Sequence, residues 1–110
     1  MSTYLLELSY TAESMAAQIK KPQDRLKTAG IPALEAAGCT MIGGGFSFGE
    51  RDVIILFEGP NDQAAAAVAQ VVAAGGSVKA SKTTKLLSGS QWTSALRKAG
   101  KIAGAYHPAK

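Results

Sequence analysis

The sequence holds one cysteine, Cys39, and one histidine, His107. A lone cysteine excludes an internal disulfide and a cysteine-based zinc site. A lone histidine excludes a histidine-rich metal site and argues against a Ser–His–Asp nucleophile. The residues thus imply no metal and no other cofactor. Aromatic residues are few, with three Phe, three Tyr and one Trp, so the core must be closely packed from small side chains, alanine above all. No apolar run approaches the ~20 residues of a membrane span. The start, "MSTYLLELSY", lacks both a positively charged opening and a small-residue cleavage site, so it is no signal peptide and a cytoplasmic location is expected. The formal charge is +4, but the lysines in "QIKKPQDRLK", "VKASKTTK" and "LRKAGK" are not interleaved with aromatics as in a nucleic-acid groove. They read as a solvated, mildly basic surface, with neither nucleic acid nor membrane as partner.

What is present describes one domain, 1–110, with enough chain to bury a core without staples. "TYLLELS" (3–9) places Tyr4, Leu6 and Leu8 on one face and Leu5, Glu7 and Ser9 on the other, a strand period. Thr11 is an N-cap for "AESMAAQIKK", with Met15 and Ile19 one turn apart. Pro22 predicts a kink or restart before "QDRLKTAGIPALEAAG", whose Leu26, Ile31 and Leu34 face inward. "CTMIGGGFSFG" reads as a strand with bulging or close backbone approach. The short polar "GER" joins it to the strand "DVIILFE" (52–58). Asn61 or Asp62 caps a helix that runs to about Ala74. "SVKASKTTKLL" is a fourth strand, and the core then ends near residue 88. Residues 89–110 add a short helix, "SGSQWTSALRKAG", and an exposed tail. The order β-α-β-β-α-β predicts an α+β fold of ferredoxin-like type, an antiparallel sheet with helices on one face.

The run "MIGGGFSFGERD" (41–52) lacks the features of a phosphate loop, because it leads into a strand and not into a helix N-terminus. Gly44 and its neighbours instead let the strand bend, and they clear space on the sheet for a ligand or a partner's side chain. Strand three is apolar on both faces, with Val53, Ile55 and Phe57 against Ile54 and Leu56. Helices cover one face only, so a homodimer stacked sheet against sheet is expected. The helix over 62–74 is apolar around most of its circumference. Trp92, Leu96 and Ile102 form a stripe that would cover it, which predicts that 89–102 folds back onto the body.

The candidate ligand pocket is Tyr4, Phe46, Phe48 and Gly44. The candidate catalytic groups are Asp52, as a pocket acid or base, and Arg51, as an anion-binding cation; each also has a plain reading, as a turn cap and an exposed turn cation. Glu7 is either on a wet edge or paired with Lys82 or Lys85. Cys39 reads as a small buried hydrophobe, Trp92 as the anchor of the last helix, and His107 as part of the tail.

"TYLLELSYTAES", "FGERDVIILFEGPNDQAAAAVAQVVAAGGSVKASKTTKLLS" and the element order together resemble the GYD-domain family over about residues 3–88. That family lies within the dimeric α/β-barrel superfamily. Gly49, Glu50 and Asp52 match its Gly–x–Tyr–Asp signature, while Arg51 stands in place of the usual tyrosine. The resemblance implies the ferredoxin-like fold and a dimer. Superfamily relatives include cofactor-free monooxygenases, haem-handling enzymes and small-molecule-sensing domains. Three functions follow as expectations: an oligomeric protein binding a small apolar or aromatic molecule between sheet and helices, a cofactor-free monooxygenase or isomerase, and a structural or regulatory association module.

Overall fold

Two-residue alternation builds the centre of the molecule. In a computed structural model describing residues 1–109, Tyr4, Leu6, Leu8 and Tyr10 of β1 (Ser2–Tyr10) are buried. Val53, Ile55 and Phe57 of β3 (Val53–Gly59) are buried on the same face, each at most 2% exposed. The two strands pair antiparallel with Leu6 opposite Ile55 and Tyr4 opposite Phe57. β2 (Thr40–Phe46) flanks β3, and β4 (Val78–Leu86) flanks β1, giving one antiparallel sheet in the order β2-β3-β1-β4. The ferredoxin-like α+β arrangement expected from the element order is therefore present.

Helices form where the caps permit. Thr11 accepts a bond from the Ser14 amide and starts α1 (Ala12–Lys20). Beyond Pro22, a single π-helical turn, Leu26–Gly30, runs straight into α2 (Ile31–Ala36), with Pro32 in the first turn of α2. A π-turn widens the helix locally, as often happens at functional sites. Asn61 caps α3 (Asp62–Ala74) by accepting from the Ala64 amide at 2.8 Å. Leu34 of α2 and Ala65 and Val68 of α3 press onto the inner sheet face, with Leu26 beside them. Gly38, at φ +77°, turns the chain out of α2. Cys39 is 2% exposed, and burial pushes its thiol pKa up, as fits a small core residue.

Two expectations about packing are overturned. The helix α4 (Gly89–Ile102) does form, fixed by a reciprocal capping box between Ser88 and Gln91. It does not fold back. None of its residues is buried, and Trp92, Leu96 and Ile102 are 60%, 56% and 60% exposed, so Trp92 anchors nothing. The radius of gyration is 17.6 Å, against about 13 Å for a compact chain of roughly this length. α3, in turn, is buried along one stripe only, and Val71 is 64% exposed. β4 hands over to the capped helix through two residues, Leu87 and Ser88, and the helix leaves the sheet without returning to α3. α1 also buries no residue, and its Ile19 is exposed.

Candidate functional site

The glycine run has a definite task in the backbone. Met41 lies opposite Phe57 and Gly43 opposite Leu56, so Ile42 is an extra residue in β2, a bulge. Gly44 then adopts φ +122°, and a Cβ there would collide with the Ile54 carbonyl oxygen and lie 3.0 Å from the Ile55 Cα. Close backbone approach, not ligand space, requires glycine at 44. Phe46 is 53% exposed and Phe48 fully so. They face solvent at the β2–β3 end of the sheet.

Asp52 performs structural work. Its Oδ2 accepts from the Tyr10 amide at 2.8 Å, its carbonyl accepts from Ser47 N–H, and its own amide donates to the Leu8 carbonyl. The Ser9 hydroxyl donates to the Glu50 carbonyl at 3.0 Å, which ties the same loop to β1. Arg51 sits in that loop, half-buried. Glu7 lies opposite Lys82 across β1 and β4 but forms no ion pair with it. Lys85 pairs instead with Asp62, at 2.9 Å, the only ion pair among the described residues.

That aspartate belongs to a cluster at the opposite end of the sheet. The Tyr4 hydroxyl donates to Asp62 Oδ1 at 2.6 Å, and the Tyr4 ring stacks on Phe57 with centroids 5.3 Å apart. The bond from Tyr4 and the neighbouring Lys85 hold the Asp62 carboxyl below the usual carboxylate range. The same bond raises the Tyr4 pKa. Tyr4 thus locks the start of α3 to the sheet.

The cavity lies elsewhere. Between the sheet, the π-turn with α2, and the C-terminal half of α3 is a space of about 250 Å³. Leu8, Val53 and Ile55 form its floor, and Leu26, Ala33 and Val72 its walls. A Cβ at Gly30 would crowd the Leu26 side chain of the same turn at 3.2 Å, while it would meet Ile55 of the sheet only at an ordinary 3.8 Å. The only titratable side chains on the lining are Tyr10 and Arg25. Burial raises the Tyr10 pKa, and the nearby Arg25 guanidinium opposes part of that rise. Tyr10 therefore stays a neutral hydrogen-bond donor at physiological pH. None of Tyr4, Phe46, Phe48, Gly44, Asp52 and Arg51 lines this space.

The sequence signal for Tyr10 was present, because it continues the alternation Tyr4, Leu6, Leu8 by one more step. Arg25 carried none; it is one cation among several in "KKPQDRLK". Among the described residues, no group of three potential metal ligands converges, and no helix is long and apolar enough to cross a membrane.

Comparison with known proteins agrees with this architecture. No curated protein matches the sequence. The crystal structure of protein Atu4242 from Agrobacterium tumefaciens is similar in fold, with a TM-score of 0.50 at 13% identity, over 79% of this chain and 92% of that one. The model of the GYD domain matches residues 4–96, which extends the likeness past β4 into the first half of α4. The chain belongs to the GYD-domain family.

Proposed function

We propose that this protein is a binding module for a small apolar or aromatic molecule, held between the sheet and the helices and carried on a homodimer. The observation that supports it is the 250 Å³ cavity with its aliphatic floor and walls. Ligand sites are mostly apolar, with few polar groups setting orientation, and drug-sized ligands occupy about 300–1,000 Å³. A space slightly below that range suits one or two fused rings. A binding role is favoured over catalysis by the lining itself. Arg25 and a Tyr10 with a raised pKa offer no general base near neutrality, and the Asp52 carboxylate is engaged by the Tyr10 amide.

Titration with indole, followed by amide chemical shifts, tests this reading. Saturable shifts confined to residues such as Leu26, Gly30 and Val72 are expected. Shifts that are absent, or scattered over the surface without saturation, would sink it.

The homodimer reading rests on the outer sheet face. The register puts Leu5, Ile54 and Leu56 on that face, with Leu86 at one side and Gly43 and Gly45 at the other. No element among the described residues packs over them. An apolar patch of this kind, rimmed here by Glu7, Glu58 and Lys82, marks an association surface.

A further inference from the structure

From the cavity mouth we infer that the ligand is a small amphipathic carboxylate: its apolar body in the cavity, its carboxylate on the Arg25 guanidinium and the Tyr10 hydroxyl. The inference rests on the binding reading above and narrows it to a chemical class.

The arrangement has two compartments. Outside the apolar cavity lies a second, polar recess between α1 and the C-terminal end of α3, and Arg25, Gly75 and Ser77 line both spaces. They form the boundary between an apolar interior and a wet exterior. Lys21, Gln18 and Gln23 also line the outer recess, with Glu13 as its one acid, so its cations outnumber its acids. A ligand apolar throughout would fill the inner space and leave the boundary cation without a role. A ligand with an anionic end uses both.

Among the described residues Arg25 has no carboxylate partner, and its guanidinium stands beside the Tyr10 side chain, so the two groups are already together at the mouth. Asp24, adjacent in sequence, and Asp52, which acts on Tyr10, are both engaged by backbone amides. Asp24 Oδ1 accepts from the Leu26 and Lys27 amides at 3.1 and 3.3 Å, and Asp52 Oδ2 accepts from the Tyr10 amide. Arg25 forms no ion pair with any described carboxylate. A guanidinium presents a planar pair of donors that matches a carboxylate. Here it stands beside low-dielectric walls, where a charge-assisted bond gains strength. Tyr10, kept protonated by its burial, adds a donor from the cavity side. The competing partner for Arg25 is the carbonyl end of α3, which reaches the mouth at Gly75.

The test compares 2-naphthoate with the neutral 2-naphthalenemethanol by calorimetric titration of the full chain. The acid should bind at least about tenfold more tightly, the difference a charge-assisted bond makes. Arg25→Gln should erase that preference while leaving the affinity for the alcohol within about twofold. Tyr10→Phe, which keeps the ring in place, should reduce the preference by part. If the alcohol binds and the acid binds no better, this inference falls and the apolar binding reading survives. If neither binds, both fall. If Arg25→Gln lowers the melting temperature but keeps the preference, Arg25 serves the end of α3 and the inference is overturned.

Discussion

At the scale of single residues, glycines that look alike differ in their obligations. Gly44 is forced: its φ of +122° lies where L residues are strained, and the Ile54 carbonyl occupies the place of a Cβ. Gly45, one residue on, has nothing within 4 Å of a built Cβ and an ordinary φ. Gly44→Ala should therefore cost at least about 2 kcal/mol, a fall in melting temperature of roughly 8–16 °C for a domain of this size. Gly45→Ala should stay within about 0.5 kcal/mol of the parent. Thermal unfolding of the two variants side by side decides the point, and equal melting temperatures would show that the bulge tolerates a side chain. Tyr4 makes a similar point. Its alternation marks it as inward-facing, yet its bond to Asp62 spans 58 positions of sequence, and no local pattern encodes that.

At the scale of elements, the strands were legible and the helix packing was not. Period-two alternation in 3–9 and 52–58 is a property of each strand alone, and it gave both the strands and the inward face. The caps at Thr11 and Asn61 are equally local. Whether an apolar stripe on a helix finds a partner depends on the geometry that delivers the helix, and that is where the reading of 89–102 failed. The apolar groups were real; the distance back to α3 was not in the sequence. The cavity escaped for the same reason, since its walls come from β1, β3, the π-turn, α2 and α3 together, and Pro22 signalled a break without showing that a π-turn follows it. Because α4 buries none of its residues, removing everything after Ser88 should leave the melting temperature of the remaining domain within about 4 °C, the shift of roughly 0.5 kcal/mol. A drop of 10 °C or more would mean that α4 is packed against something in solution.

At the scale of the whole molecule, the isolated chain leaves much apolar surface in water: Ile19 on α1, Val71 on α3, the stripe of α4 and the outer sheet face. On the sheet face the centre is Ile54 and Leu56, which stand between Gly45 and Gly43 on one side and Glu7 and Leu5 on the other. Stacked sheets pack about 10 Å apart, and the missing side chain at 43 leaves a recess that a partner's Leu or Ile can fill. Ile54 is outward and half-buried, whereas Ile55 is inward and 2% exposed. The two adjacent residues therefore separate association from folding. Sedimentation at micromolar concentration should show a dimer for the parent and a folded monomer for Ile54→Lys, with unchanged far-ultraviolet dichroism. Ile55→Lys should fail to fold, because it places an unpaired charge in the core. A parent protein that sediments as a monomer would remove the sheet-to-sheet dimer, and the outer face would then need another explanation for its leucines and isoleucines.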